Sequence, residues 1–240
     1  MGNDSGILEI SGQTPDQINI SLFLYCYGGI AAEVLPDHIS AIQDIIVNRR
    51  KVRWNAIRED ALISRSRCRA AGMFLDSGSD VMMQLDHDIG FQPQDIWRLC
   101  QHALDLNAVV GVPYSKRKPN STHAGRHQGS LPSPGTDTLT DTLYLASGFM
   151  AHSRQALLQT IEICSRSEDV DPQLQVQWCN DVLIPRFPSV YQPAILNGEY
   201  LSEDYSFCAR AHLAGIPVKA WSLPILSHYG MTPYSLSPNA

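Results

Sequence analysis

The sequence lacks the features of several broad protein classes. Its six cysteines form no Cys-x-x-Cys pair, so we expect reduced thiols and neither a zinc knuckle nor a disulfide framework. No stretch approaches the ~18 apolar residues of a membrane span. The amino terminus has neither the basic-then-apolar order of a secretory signal nor the hydroxyl residue that myristoylation needs at position 6. We therefore expect a cytoplasmic protein without a transmembrane segment.

An excess of positive charge is also absent, since 18 Lys and Arg face 24 Asp and Glu for a net charge of −6. General nucleic-acid binders need a basic surface to displace counterions from phosphates, so we expect no nucleic-acid partner. The basic residues are nevertheless clustered, which leaves local phosphate binding open. The clusters are Arg49, Arg50, Lys51, Arg53 and Arg58, then Arg65, Arg67 and Arg69, then Lys116, Arg117 and Lys118.

The dinucleotide fingerprint G-x-G-x-x-G is missing as well. The first predicted strand, residues 18–25, is followed instead by Gly28-Gly29, which is either a close approach to a ligand or a plain turn. No internal repeat occurs. With 240 residues and 44% hydrophobic content, we predict one domain over 1–240, with a polar lead-in at 1–17 and a tail at 231–240.

The central feature that is present is the segment 81–90, VMMQLDHDIG. A short, almost wholly apolar run is typical of a strand buried on both faces of a parallel sheet, and its carboxyl end is where open α/β sheets bind ligands. Asp86 and Asp88 would repel each other without a cation or a hydrogen-bonding partner between them. The pair therefore indicates a divalent metal site, with an acidic turn exposed to water as the alternative.

Strand-like and helix-like segments alternate along the chain, which predicts an α/β fold with a mostly parallel central sheet and flanking helices. In the first predicted helix, which begins at Pro36, the isoleucines 39, 42, 45 and 46 share one face that should pack on the core. Further strands are predicted at 52–57, 108–112, 142–151, 217–221 and 224–227. Further helices are predicted at 60–75, 93–106, 153–163 and 202–215. In the first of these, Arg65 and Arg69 share a face at a spacing of four residues, and Arg67 is turned away from them.

The segment 115–141 has no helical or strand period and is rich in Pro, Gly, Ser and Thr. A loop of this length is uncommon in a compact domain unless it binds something. We expect it to be flexible and to be ordered by substrate. It carries the positively charged or titratable residues Lys116, Arg117, His123, Arg126 and His127.

Two later features complete the candidate site. Glu203 and Asp204 open a predicted helix, and His228 precedes the tail. Each has a purely structural reading, because a helix dipole favours acidic residues in the first turn and a single histidine is more often a surface residue.

Taken together, these motifs resemble nucleotide-sugar glycosyltransferases of the GT-A fold with a DxD-type motif, in a subgroup found in bacteria and large viruses. The resemblance spans residues 18–230 and rests on RSRC at 65–68, DHDIGF at 86–91, VPYSK at 112–116 and LSEDYSFC at 201–208.

The resemblance implies a role for each of these residues. Asp86 would meet the sugar or ribose of the donor, and Asp88 and His228 would hold Mn²⁺ or Mg²⁺, with Asp86 nearby as a further candidate ligand. If the enzyme inverts the anomeric centre, Asp204 would remove a proton from the acceptor hydroxyl, with Glu203 orienting it.

The resemblance also implies contacts to both substrates. On the donor side, Tyr25 and Tyr27 would stack on the base, Asp60 would bind the base or cap its helix, and Arg65 or Arg67 would hold the diphosphate. Ser147 and Gly148 would leave room for the acceptor.

The predicted function is metal-dependent transfer of a sugar from a UDP- or GDP-sugar to the hydroxyl of a carbohydrate or other acceptor. One alternative is a sugar nucleotidyltransferase, of which Gly28-Gly29 would be a poor phosphate loop. Another is a non-catalytic, metal-dependent carbohydrate-binding protein. A hydrolytic metalloenzyme is a third, but a bare Asp-His-Asp lacks the additional histidines that such sites normally have.

Overall fold

The computed structural model describes residues 18–26, 28–58, 60–116, 125–126, 132–166, 168–230 and the backbone of 233–235. Its helices are α1 (Leu35–Val47), α2 (Ile63–Ser77), α3 (Pro93–Asp105), α4 (Arg154–Arg166) and α5 (Glu203–Leu213), with a short 3-10 turn at Ala32–Val34 before α1. None of the described helices is long and apolar enough to cross a membrane.

Seven strands form the central sheet: β1 (Ile20–Cys26), β2 (Val52–Arg58), β3 (Val81–Asp86), β5 (Val109–Gly111), β7 (Leu139–Asp141), β9 (Phe149–Ser153) and β14 (Val218–Trp221). Shorter strands are β4 (Ile89–Gly90), β6 (Gly125–Arg126), β8 (Tyr144–Leu145), β10 (Trp178–Cys179), β11 (Phe187–Pro188), β12 (Ala194–Leu196), β13 (Glu199–Leu201), β15 (Ser227–Tyr229) and β16 (Pro233–Ser235).

The order of the central sheet is β2-β1-β3-β9-β5-β14-β7. Strands β2, β1 and β3 are parallel to one another, and β5 is parallel to β14, whereas β9 and β7 run antiparallel to their neighbours. The fold class predicted from the sequence is therefore confirmed. Because β1, β2 and β3 end at the same edge, the residues that follow them share one side of the sheet.

Apolar side chains cover both faces of the sheet, as the near-continuous hydrophobic run of β3 predicts. One core contains Met83 and Leu85 of β3 together with residues of α1 and α3. The other contains Met82 with residues of α2, α4 and α5. The sheet is thus enclosed between two helical layers, and only its edges are open for a site.

The prediction for α1 is wrong in part. His38 and Ala41 are buried, whereas Ile39, Ile42 and Ile46 are 48%, 46% and 70% exposed. The sheet and α3 cover only one row of the helix, so the neighbouring isoleucine row lies outside the core.

Several element boundaries also differ from the predictions. The predicted loop 115–141 contains β6 and β7, so the prediction of an irregular segment is wrong at residues 125–126 and 139–141. The predicted strand 142–151 is split into β8 and β9. The strand predicted at 224–227 lies at Ser227–Tyr229 instead, because that segment pairs with β4. Residues 117–124 and 127–131, with Arg117, His123 and His127, lie outside the described part of the chain.

Candidate functional site

Asp86, the last residue of β3, is held by a buried arginine of α2. Arg67 Nη2 donates to Asp86 Oδ1 at 2.8 Å, and Nη1 donates to Gln84 Oε1 at 3.1 Å. The Arg67 guanidinium also lies 4.3 Å from the centre of the Tyr25 ring on β1. The residue is only 2% exposed, so Arg67 lies beneath the surface of the site and fixes the orientation of Asp86 from below.

The acidic pair that opens α5 reaches the same cluster. Arg67 Nε lies 3.6 Å from Glu203 Oε1. Burial raises the pKa of Glu203, and the positive charge of Arg67 opposes that rise. Arg67 therefore connects the carboxylate at the end of β3 with the carboxylate at the start of α5, two segments more than a hundred residues apart.

Asp204 is fixed by contacts within its own helical turn. Its Oδ1 accepts hydrogen bonds from the Ser202 hydroxyl and from the Tyr205 N–H, the latter at 2.8 Å. Burial raises its pKa, and the negative charge of Asp86 adds to the rise. A carboxylate whose pKa moves towards neutrality is a stronger base than an exposed one, which suits proton abstraction.

Asp88 and His228 are brought together by the pairing of β4 with β15, in which His228 faces Ile89. The Tyr229 N–H donates to the Asp88 carbonyl at 2.8 Å, and His228 Nε2 lies 3.5 Å from Asp88 Oδ2. His228 Nδ1 is 2.8 Å from the Ser115 carbonyl oxygen. A carbonyl can only accept, so Nδ1 carries a proton, and Nε2 is the ring nitrogen that faces Asp88.

Gly148 lies where Tyr114 and Asp86 meet. Its N–H donates to the Tyr114 hydroxyl at 3.1 Å. Its carbonyl accepts from the Asp86 N–H at 2.9 Å. A Cβ at this position would lie 2.4 Å from Tyr114 Oη and 3.0 Å from Asp86 Oδ2. The missing side chain thus leaves room for Tyr114 and Asp86, and the interpretation that it leaves room for an acceptor stays a prediction.

Gly148→Ala is expected to lower the free energy of unfolding by about 1–3 kcal/mol, because the Tyr114 ring is buried and cannot retreat freely. Chemical denaturation measures this change. The matched control is Gly28→Ala, whose Cβ would meet nothing within 4 Å. Tyr114→Phe removes the nearest atom and should restore part of the loss in the double variant. Equal stability of the Gly148 and Gly28 variants would contradict the packing described here.

A cavity of about 280 Å³ opens at the carboxyl ends of β1, β2 and β3, beside the start of α2. Aspartates 86 and 88 are among its lining residues, and Ile57, Ala61 and Ile63 supply apolar walls. The remaining lining residues are Tyr25, Cys26, Asp60, Ser66 and His87. The cavity thus combines apolar walls with the carboxylates of Asp60, Asp86 and Asp88.

The other residues predicted for the donor side are placed as follows. Asp60 lines the cavity, and its carboxylate is paired with Arg65 at 2.6 Å and Arg69 at 2.8 Å. The predicted shared face of Arg65 and Arg69, with Arg67 turned away, is confirmed. Helix α2 begins at Ile63 rather than Asp60, and the Asp60 carboxylate accepts the Leu62 N–H just before it. Tyr27 lies outside the described residues.

Sequence reasoning missed Gln84, a polar residue inside the apolar run of β3. Its Oε1 accepts from Arg67 and, at 3.3 Å, from the Tyr25 hydroxyl, and its Nε2 donates to Tyr191 Oη at 2.6 Å. Tyr191 Oη in turn lies 3.2 Å from His152 Nε2. A lone glutamine among apolar residues of a central strand was the available signal, because a buried amide requires partners.

The predicted metal ligands and the predicted acceptor residue Ser147 lie in different surroundings. Among the described residues, no group of three or more His, Cys, Asp and Glu side chains is arranged to hold an ion, since Asp86 is directed to Arg67 rather than to His228. Ser147 is 1% exposed. Its hydroxyl has no hydrogen-bond partner in the described part of the chain.

No protein-family model matches the sequence, and no curated protein sequence matches it either. Among solved structures, A197 from STIV is similar over 92% of this chain and 91% of its own, with 15% identity and a TM-score of 0.57. That likeness shows the fold alone.

Two weaker similarities involve larger chains. GalNAc-T7 with UDP, GalNAc and Mn²⁺ has a TM-score of 0.46 and 11% identity over 88% of this chain and 44% of its own. S. aureus TarS 1–349 in complex with UDP-GlcNAc has a TM-score of 0.42 and 12% identity over 85% of this chain and 56% of its own.

Proposed function

We propose that this protein is a metal-dependent glycosyltransferase that moves a sugar from a UDP- or GDP-sugar to an acceptor hydroxyl. The observation that carries the proposal is the Asp88–His228 pair, in which Asp88 lines a cavity at the carboxyl ends of three parallel strands. The sequence resemblance assigns the same two residues to a metal site.

The pair is suited to a divalent cation. With Nδ1 donating to the Ser115 carbonyl, His228 turns its Nε2 towards the Asp88 carboxylate. In the neutral ring the lone pair of Nε2 would repel that carboxylate unless a proton or a cation lay between them. Two ligands that bind one ion at ~2.1 Å in adjacent positions lie roughly 3–3.5 Å apart, and these two atoms are 3.5 Å apart. One carboxylate and one imidazole suit Mn²⁺ somewhat better than Mg²⁺.

Two protein ligands would be sufficient for such a cation. Hard cations in phosphate sites are commonly held by one or two side chains, and substrate phosphates and water complete the coordination. A cation bound there would offset negative charge on the departing nucleoside diphosphate. Asp88 and His228 would hold it, and Asp86 would orient the donor sugar.

The chain's own residues provide the remaining parts of the mechanism. The apolar walls of the cavity would receive the base, with Asp60 at their edge. Arg67 would keep the Asp86 carboxylate in one orientation. Asp204 would accept the proton of the acceptor hydroxyl as the new bond forms to the sugar, and Glu203 would support it.

The test is a thermal-shift panel of nucleoside-diphosphate sugars, with Mn²⁺ and with a chelator. One donor is expected to raise the melting temperature in the presence of Mn²⁺ and to lose that effect on chelation, because a ligand that binds only the folded state stabilises it. The nucleotide of the responding donor is thereby identified. The absence of a response to any UDP- or GDP-sugar would overturn the proposal.

A further inference from the structure

Helix α1 exposes a row of aliphatic side chains along one flank. Leu35, Ile39, Ile42, Ile46 and Val47 are between 46% and 77% exposed. The first four recur at intervals of four, three and four residues, so they form a continuous line along the helix. We refer to these five residues as the α1 flank.

The α1 flank is not the face that anchors the helix. His38 and Ala41 are buried and Ile45 is half-buried, and this row lies one residue, or roughly 100°, around the helix from the exposed row. A helix that covers one side of a sheet needs only the buried row, and polar side chains are typical beyond it. Contiguous exposed aliphatic side chains of this kind mark interaction surfaces.

Positive charge borders the carboxyl end of the α1 flank. Arg49 and Lys51 are both exposed in the turn that joins α1 to β2. Arg58 is exposed at the other end of β2, and Arg53 lies on the opposite face of the sheet beside Met73. Arg50 differs, because it is paired with Asp44 at 2.5 Å. This concentration stands out in a chain whose net charge is −6.

We propose that the α1 flank docks on the surface of an anionic phospholipid bilayer. The aliphatic side chains enter the boundary between headgroups and acyl chains, and the neighbouring cations contact lipid phosphates. A second copy of the chain fits less well, because the area of one helical row is small compared with the ~800 Å² per partner that specific interfaces bury. A nucleic acid would leave the aliphatic row unused. The inference does not depend on the proposed transferase activity.

The test is co-sedimentation of the full chain with vesicles of phosphatidylcholine alone or mixed with phosphatidylglycerol. The protein is expected to bind the mixed vesicles, and added salt is expected to weaken that binding. Ile42→Glu combined with Ile46→Glu should lower the partition coefficient at least about tenfold, because two carboxylates replace the penetrating side chains. Arg49→Gln combined with Lys51→Gln should weaken binding to the anionic vesicles. The remaining binding should depend less on salt than the binding of the wild type does.

Leu158→Glu is the matched control, because Leu158 is 46% exposed on α4, on the other side of the sheet, as Ile42 is on α1. It should bind vesicles like the wild type. Failure of the wild type to bind any vesicle would overturn the proposal, and so would equal loss in the Leu158 and Ile42/Ile46 variants. Binding that depends on the cations but not on the isoleucines would overturn it too. The wild type could instead fail to bind vesicles and form a dimer in analytical ultracentrifugation that Ile42→Glu dissociates. That result would overturn the proposal and identify a second copy of the chain as the partner of the α1 flank.

Discussion

Arg67→Met is expected to lower the free energy of unfolding by about 3 kcal/mol, because it leaves two partly enclosed carboxylates without their cation. In the native chain the guanidinium lies 2.8 Å from Asp86 Oδ1 and 3.6 Å from Glu203 Oε1. Methionine fills part of the space but offers no donor to either residue or to Gln84. Chemical denaturation at neutral pH measures the loss.

Arg65→Met is the control for that variant. Arg65 lies on the same helix and also pairs with a carboxylate, but its side chain is 46% exposed and its partner Asp60 keeps Arg69. The expected change is below ~0.5 kcal/mol. A double-mutant cycle of Arg67→Met with Asp86→Asn should give a coupling energy of at least about 1 kcal/mol. Strictly additive effects would show that Asp86 and Arg67 do not act together.

Asp204→Asn is expected to reduce turnover by roughly 10²–10⁴-fold, the range typical of a lost general base. Asparagine can still accept from Ser202 and the Tyr205 N–H through its amide oxygen, so the helix terminus should stay folded. The affinity for the donor should change less than about threefold, because the base acts on the acceptor. Release of nucleoside diphosphate in the presence of an acceptor measures turnover, and calorimetry measures donor affinity.

Asp141→Asn serves as the comparison, because Asp141 is an exposed carboxylate at the far edge of the sheet, paired with Lys219. The Asp141→Asn variant should turn over the donor at the wild-type rate. Wild-type turnover in Asp204→Asn would show that Asp204 is not the general base. Donor binding in the wild type with no turnover for any acceptor would favour the carbohydrate-binding alternative.

The sequence predicted those parts of the site that follow from local pattern. The apolar run of β3 predicted where Asp86 would leave the sheet, and helical spacing predicted that Arg67 would turn away from Arg65 and Arg69. The burial of Arg67 could not be predicted in this way. It depends on Tyr25 and Gln84, which meet it only after β1 and β3 have paired.

Long-range pairing explains the other differences. The strand at Ser227–Tyr229 forms where the chain pairs with β4, which lies well over a hundred residues earlier. Local propensity cannot predict a partner at that distance in the sequence. The row of isoleucines on α1 satisfied the pattern for a core face. Which row is buried is decided by the width of the sheet and α3 beneath the helix, so the exposed flank became visible only in the folded chain.

The central claim is that Asp88 and His228 form a cation site that a nucleoside-diphosphate sugar completes. Calorimetric titration of the responding donor in the presence of Mn²⁺ tests it most directly, with Asp88→Asn and His228→Ala beside the wild type and Asp141→Asn as the control. The account predicts that both site variants lose at least about tenfold in donor affinity and no longer respond to chelation, while the control binds normally. Undiminished, Mn²⁺-dependent donor binding in Asp88→Asn and His228→Ala would contradict it.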